Sequence, residues 1–327
     1  MKIAIVGATG EVGRMMLKVI GEMEIPIKKL KLFASSRSKG KKFKFSGKDI
    51  EVKELTEDSL KARFDYILMS AGGTISKKFS PIAAAAGNTV IDNSSAFRTC
   101  DNIPLVVPEI NSHKLKNYRG IVANPNCSTI QVVLALYPLA KEFKLKKVVI
   151  STYQSVSGSG NQGIQTLKNQ IDGEADFGIY PRVINLNVIP QISDFNENGY
   201  CEEEEKMMRE PKKIMEMSDL KISTTTVRVP VIYGHSESVY AEFEKEVNLQ
   251  KAGKLLTDFP SLVYQKNGYI TPSEIGDSDD SFVCRLRHGT DKKSVAFWNV
   301  AHNIRVGAAT NAVRIMKKMI ELNSGNA

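Results

Sequence analysis

The sequence predicts an α/β fold: a parallel sheet with helices on both faces, joined to a second domain of α+β texture. Three observations carry this. At 327 residues and 42% hydrophobic content, the chain is long enough for two buried cores. Over its first third, short apolar runs alternate with segments of helical period, the pattern of strand–helix units in a parallel sheet. Beyond Lys147-Val148-Val149-Ile150 the texture changes to long polar stretches and alternating segments such as Ile222-Ser223-Thr224-Thr225-Thr226-Val227-Arg228-Val229, which predict an antiparallel sheet.

Taken in order, Ile3-Ala4-Ile5-Val6 is a strand ending in Gly7-Ala8-Thr9-Gly10-Glu11-Val12-Gly13, after which Val12, Met15, Met16, Val19, Ile20 and Met23 repeat at helical spacing. A second strand, Leu30-Lys31-Leu32-Phe33-Ala34, runs into Ser35-Ser36-Arg37-Ser38. Alternation through Phe43, Phe45, Ile50 and Val52 predicts a small hairpin after it. Further strands are expected at Tyr66-Ile67-Leu68-Met69, Thr89-Val90-Ile91 and Ile121-Val122-Ala123, with an Ala-rich helix around Ile82 to Ala86. Val306, Ala309, Val313, Met316 and Ile320 return to helical period and are expected to pack back on the first domain. The domains are therefore set at 1–127 plus 303–327, and at 128–302.

Lys plus Arg at 45 against Asp plus Glu at 36 gives a net charge of +9, which favours anionic ligands. The basic residues are scattered without an aromatic–basic patch, which excludes nucleic acid as a partner. Gly120 to Ala140 carries no charge, yet Asn124, Asn126, Ser128, Thr129 and Gln131 would need partners in hydrocarbon, so it is not read as a membrane span. Cysteines at 100, 127, 201 and 284 form neither a disulfide framework nor a metal-binding spacing, and the opening residues lack the layout of a secretory signal. A reduced, cytoplasmic protein without a metal is expected.

The Gly7-x-x-Gly10-x-x-Gly13 turn between strand and helix suits a dinucleotide pyrophosphate, although such turns often bind nothing. At the end of the second strand, where an NAD site usually places an acid, stand Arg37 and Ser38, donors suited to a 2′-phosphate; a solvated loop is the plainer reading. Cys127, between a strand and an apolar helix, would feel the positive end of the helix dipole, which favours the thiolate, and Asn126 with the Cys127 amide could serve an oxyanion. The bland alternative is an inert buried cysteine. Gln154 and a flexible Ser155–Gly160 loop follow a strand end. His235, one of four histidines, suits proton transfer, against a plain surface-turn role. Arg228 reads as an anion ligand or a surface strand charge, and Arg98 as a phosphate ligand or a loop arginine. Glu202-Glu203-Glu204-Glu205-Lys206 reads as a solvated helix start from which one acid could meet an ammonium group.

Together these motifs resemble the aspartate-semialdehyde dehydrogenase family in its bacterial form, over essentially the whole chain. Gly7 to Gly13, Asn93-Ser94-Ser95-Ala96-Phe97-Arg98, Asn124-Pro125-Asn126-Cys127-Ser128-Thr129, Gln154-Ser155-Val156-Ser157-Gly158, Glu203-Glu204-Glu205-Lys206-Met207, Arg228-Val229-Pro230 and His235-Ser236-Glu237 match in order. The resemblance implies a Rossmann-type NADP-binding domain and a catalytic and dimerisation domain. The reaction it implies is reductive dephosphorylation of L-aspartyl 4-phosphate to L-aspartate 4-semialdehyde, on the route to lysine (through diaminopimelate), threonine and methionine. It assigns Cys127 as nucleophile, His235 as acid/base and Gln154 to the substrate carbonyl. Arg228 is assigned to the α-carboxylate, Glu203 to the α-ammonium, and Arg98 with Lys206 to phosphate. The cofactor is implied to lie on Gly7, Thr9, Gly10, Glu11, Val12, Gly13, Arg37, Ser38, Ser157, Gly158 and Asn303. The sequence departs from the pattern at His302, where an acid is common, and at Val306, where a lysine is. A homodimer is implied. Alternatives are an N-acetyl-glutamyl-phosphate reductase, in which Glu203 would face no charged amine, and a non-catalytic NADP-binding sensor.

Overall fold

A computed structural model describes residues 1–174 and 176–324. They divide into two compact units, residues 1–125 with the stretch from Ala308 onward, and residues 126–307. Cys127 and Asn303, expected at the margins of the first domain, thus both belong to the second unit. Along the chain the first unit runs β1 (Lys2–Val6), α1 (Glu11–Glu22), β2 (Lys29–Ala34), β3 (Lys42–Phe45), β4 (Lys48–Glu54), α2 (Glu57–Lys61), β5 (Tyr66–Met69), α3 (Gly73–Ala85), β6 (Thr89–Asp92), α4 (Pro108–Asn111) and β7 (Ile121–Ala123). The second contains α5 (Cys127–Phe143), β8 (Leu145–Gln154), α6 (Gly160–Ile171), α7 (Glu202–Met215), β9 (Lys221–Arg228), β10 (His235–Phe243), α8 (Leu249–Asp258), β11 (Leu262–Gln265), β12 (Ser281–His288) and β13 (Ser294–Ala301), and α9 (Asn311–Ser324) closes the first.

The first unit is a seven-stranded sheet in the order β3-β4-β2-β1-β5-β6-β7, parallel except for the expected β3–β4 hairpin. Burial on both faces explains its continuous apolar strands. Ile3 and Ile5 pack with Met16 and Ile20 of α1 and with Val313 and Met316 of α9. Ala4 and Val6 point the other way, to Phe79 and Ala83 of α3. The final helix thus closes the first unit, as its periodicity predicts. The strand order reverses at β1, so the carboxyl end of that strand lies at the switch point where open α/β sheets take ligands.

The second unit carries a six-stranded sheet in the order β11-β12-β13-β10-β8-β9. The antiparallel sheet expected from alternation is instead mixed. β10 is antiparallel to β8 and β13, and β12 to β13, but β9 runs parallel to β8 and β11 to β12. The reason for the first parallel pair lies in the connection: α6 and α7 stand between β8 and β9 and carry the chain back to the same end, as a parallel pair requires. Alternation reports a strand with unlike faces, whatever the direction of its neighbour.

Helix α5 packs on one face of this sheet against β8, β10 and β13. Its mostly buried surface accounts for the uncharged Gly120–Ala140 stretch, because here Asn126 and Gln131 find partners inside the protein. Among the described residues no helix is long and apolar enough to cross a membrane.

Candidate active site

The second unit gathers its polar side chains around the start of α5. Asn126 caps this helix, its Oδ1 accepting the amides of Ser128 and Thr129 at 2.9 and 3.2 Å. Cys127 is therefore the first helical residue, at the positive end of a helix of 17 residues. Its Sγ lies 3.2 Å from His235 Nε2. At the other ring nitrogen, the Ser155 amide donates to Nδ1 at 3.0 Å, which puts the hydrogen of the neutral ring on Nε2, facing the sulfur. Burial, then the Arg228 charge and then His302 hold the imidazole well below its ordinary range, so the ring is neutral near pH 7. An N–H aimed at sulfur and the helix terminus both favour the thiolate.

His235 is fully buried rather than a surface-turn residue. Asn303 explains how it is held: its Oδ1 accepts from Gly234 N at 2.9 Å and from the Ser155 and Ser157 hydroxyls at 3.2 Å, and its Nδ2 donates to Ser157 Oγ. The Asn303 and Ser157 side chains, expected at a cofactor, are thus engaged in bracing the segments on either side of the imidazole. The Ser155–Gly160 stretch, expected as a flexible loop, is a 3₁₀ turn over Val156–Ser159 that leads into α6. Gly158 lies against the site, since a Cβ there would stand 2.8 Å from Arg228 Nη1 and 3.3 Å from His235 Nε2.

Around this pair the polar network continues. Arg228, at the end of β9, is only 5% exposed and donates from Nη1 to Ser155 O at 2.7 Å, so it is no surface charge. Glu203 is buried too, which overturns the solvated-helix reading for this part of the run. Its Oε1 accepts from Asn126 Nδ2 at 2.7 Å and Gln154 Nε2 at 3.3 Å, and Lys206 Nζ lies 3.3 Å from its Oε2. Glu204 accepts the amides of Cys201 and Thr226, both at 2.9 Å, and so fixes the start of α7 on β9.

Three contributors escaped the sequence reading. Ser155 orients the imidazole, Glu210 accepts the Asn126 amide at 2.7 Å, and Gly307 leaves room for the thiol, because a Cβ there would stand 2.7 Å from Cys127 Cβ. Only Gly307 left a local signal, a glycine inside a helical pattern; it falls in a π-helical turn over Arg305–Thr310. At the two positions of departure, His302 stacks on Tyr233 with ring centroids 5.4 Å apart, and Val306 is buried.

The first unit presents the glycine turn at the carboxyl end of β1. Gly7 has φ +78°, and a Cβ on it would lie 2.1 Å from Ser70 O; one on Gly13 would lie 2.2 Å from Gly7 O. Gly10 caps α1 with no side chain, so the first-turn amides around Glu11, Val12 and Gly13 have no side-chain cap. Glu11 pairs with Arg14. Thr9 Oγ1 and Ser38 Oγ are 3.4 Å apart, which places the turn beside the exposed Arg37. This cradle fits a dinucleotide. Arg98 lies in the loop after β6, its Nη2 donating to Asn93 O at 3.0 Å, and Asp92 holds that loop through Ser94. Among the described residues no group of three His, Cys, Asp or Glu is placed to hold a metal ion.

Residues 2–118 match the family model described as semialdehyde dehydrogenase, NAD binding domain, and residues 136–306 that described as semialdehyde dehydrogenase, dimerisation domain. The aspartate-semialdehyde dehydrogenase of Aquifex aeolicus is 44% identical over 98% of this chain and 98% of its own. That of Campylobacter jejuni is also 44% identical, over 99% and 98%. The crystal structure of aspartate semialdehyde dehydrogenase II of Vibrio cholerae, complexed with ASA, superposes with a TM-score of 0.95 at 40% identity and covers 98% of both chains. Full-length likeness of this kind favours the main reading over the reductase and sensor alternatives. With both domain models matched in order, the chain belongs to the aspartate-semialdehyde dehydrogenase family.

Proposed function

We propose that the chain catalyses NADP-dependent reductive dephosphorylation of L-aspartyl 4-phosphate to L-aspartate 4-semialdehyde through an acyl-thioester on Cys127. The observation that carries this reading is the Cys127 sulfur at the start of α5, 3.2 Å from His235 Nε2. The thiolate attacks the acyl carbon, the bond from that carbon to the phosphate oxygen breaks, and inorganic phosphate leaves with the electron pair. Arg98 and Lys206 are assigned to that anion. Arg228 grips the α-carboxylate with its planar fork, Glu203 pairs with the α-ammonium, Gln154 orients the carbonyl, and Asn126, which also caps the helix, is assigned to the substrate beside the Cys127 amide. The thioester is open to hydride where a free carboxylate is not. Gly7, Thr9, Gly10, Glu11, Val12 and Gly13 would hold the dinucleotide, with Ser157, Gly158 and Asn303 assigned to its nicotinamide end, and the chemistry it would supply there is hydride donation. His235 holds a proton at Nε2 for the substrate oxygen, and collapse of the tetrahedral centre returns the thiolate and releases the aldehyde.

NADP is preferred over NAD because Arg37 and Ser38, with no acid beside them, follow β2. The protein acts as a cytoplasmic homodimer. Support for the dimer is the sheet face away from α5, where Val149 and Tyr153 are exposed and Tyr153 stacks with Trp298 at 5.5 Å.

The test is phosphate-dependent NADP reduction with L-aspartate 4-semialdehyde, repeated with NAD and with the N-acetyl-glutamyl analogue. Turnover is expected with the first substrate and NADP alone. Cys127→Ala is expected to bind NADP and to show no turnover or covalent adduct; turnover near that of the wild type would overturn the reading.

A further inference from the structure

Beneath the Cys127–His235 pair lies a second polar level that the chemistry above does not use. Glu237 follows His235 by two residues on β10, so both point to the same face of the sheet. Gln131 follows Cys127 by four residues on α5, one turn along the same helix face. Two strand residues advance about 6.8 Å and four helical residues about 6 Å, so helix and strand can meet at both levels.

At the upper level sulfur meets imidazole. At the lower one Gln131 Nε2 donates to the His235 carbonyl at 3.4 Å, and the Gln131 and Glu237 side chains face each other. Both residues are fully buried. Among the described residues, neither Gln131 Oε1 nor either Glu237 oxygen has a hydrogen-bond partner while the acid is ionised.

The neighbours of Glu237 supply no charge to balance a carboxylate. Thr152 on β8 and Asn299 on β13 flank it in register. The Thr152 hydroxyl takes the Gln154 amide, and Asn299 Nδ2 is spent on Ser281 Oγ and Phe282 O. From α5 it meets Gln131, which cannot titrate, and on its own strand the neutral His235 stands one level above. We propose that Gln131 and Glu237 form a positioning pair that keeps α5 in register with β10, so that the Cys127 sulfur stays against His235 Nε2. Burial pushes the Glu237 carboxyl well above its ordinary value and outweighs the Gln131 amide, which acts in the other direction; the carboxylic acid that results can donate to Gln131 Oε1 where a carboxylate cannot. The donated hydrogen bond leaves Gln131 Nε2 free to hold the His235 main chain. Glu237 thus acts on the chemistry through Gln131 and touches no substrate.

This proposal rests on Cys127 and His235 being the reacting pair. Its test uses Glu237→Leu, Glu237→Gln and Gln131→Met, with kcat, both substrate KM values, the thermal midpoint, and the pH midpoint of iodoacetamide alkylation read on the Cys127 peptide by mass. Glu237→Gln, which can still donate to Gln131, is expected within about twofold of wild-type kcat, with an unmoved alkylation midpoint. Glu237→Leu and Gln131→Met are each expected to lower kcat by about tenfold to a hundredfold with little change in KM, as a small misplacement of reacting groups does. In both, the alkylation midpoint rises by about half a unit or more as the Nε2 donor drifts from sulfur.

Losses in the double variant are expected to be less than multiplicative, since the two residues form one device. Wild-type kcat and alkylation midpoint in folded Glu237→Leu would overturn the proposal, as would a Glu237→Gln variant as impaired as the leucine. Should Glu237→Leu not fold, Gln131→Met decides by the same criteria. An active Cys127→Ala would sink the underlying function; an inactive one beside a normal Glu237→Leu would sink the positioning pair alone.

Discussion

The two units build their sites by opposite means. The glycine turn of the first unit is defined by absent atoms: Gly7 and Gly13 have backbone oxygens where a Cβ would sit, and Gly10 adds no side chain at the start of α1. The thiol site of the second is defined by side chains from α5, the turn after β8, α7, β9, β10 and the segment after β13, most of them buried and each held by another. One is contiguous in sequence and open to solvent at Gly10; the other is assembled over some 180 residues. Substitutions should therefore act through backbone strain in the first unit and through displaced side chains in the second.

The largest effect is expected at Gly7. Alanine there needs φ near +78° and brings its Cβ within 2.1 Å of Ser70 O, so the strand–turn junction shifts at a cost of about 3 kcal/mol or more. Calorimetry should show a lower thermal midpoint, and titration with NADP should show no measurable binding. Tight binding by Gly7→Ala would break the comparison on the first side.

Next comes Gly307→Ala. Its Cβ would meet Cys127 Cβ at 2.7 Å and Cys127 Cα at 3.0 Å, so sulfur and helix end are pushed from the imidazole. Loss of about a hundredfold in kcat is expected, with NADP affinity near that of the wild type. An equal loss of NADP affinity would show that the two sites are not separable in this way.

This contrast also explains what could be read from the sequence. The glycine turn, the strands of the first sheet and the hairpin at Phe43–Val52 are local patterns and were legible from spacing. Cys127 and His235 stood out by residue type, but nothing local distinguished a reactive thiol from an inert one, or a buried imidazole from one on a surface turn. The ordered family motifs made that distinction. Neither route reached Ser155, Glu210 or Gly307 as parts of the site, because their roles depend on a partner brought near by folding: an imidazole 80 residues away, an amide 84 residues away, or a sulfur. The direction of β9 escaped for the same reason, since alternation records burial and not pairing.

Glu237 sharpens the comparison through pH. Its folded-state pKa is raised above the ordinary value of about 4.5, so between those two values the folded protein holds a proton that the unfolded chain has released. Stability attached to this group is greatest below pH 4.5 and falls as pH rises toward the folded value, by at most about 1.4 kcal/mol per pH unit. Glu237→Gln removes the titration. Its thermal midpoint relative to wild type should be flat below about pH 4 and rise with pH above it. A difference independent of pH would mean that Glu237 titrates in the folded protein as it does in the unfolded chain, and so is not shifted by burial.

The smallest effect, and the one that divides NADP from NAD, is expected at Arg37. Its side chain is exposed on the 3₁₀ turn Ser36–Ser38, so water and salt weaken whatever it holds. If it grips a 2′-phosphate there, Arg37→Ala should weaken NADP by about five- to tenfold and leave NAD, which lacks that group, unchanged. Added salt should narrow the gap between variant and wild type for NADP alone, because screening removes a charge–charge contact and leaves the pyrophosphate's hydrogen bonds to the glycine turn. Equal losses with both cofactors would move Arg37 from the 2′-phosphate to the part the two dinucleotides share, and the preference would then rest on Ser38 and the turn itself.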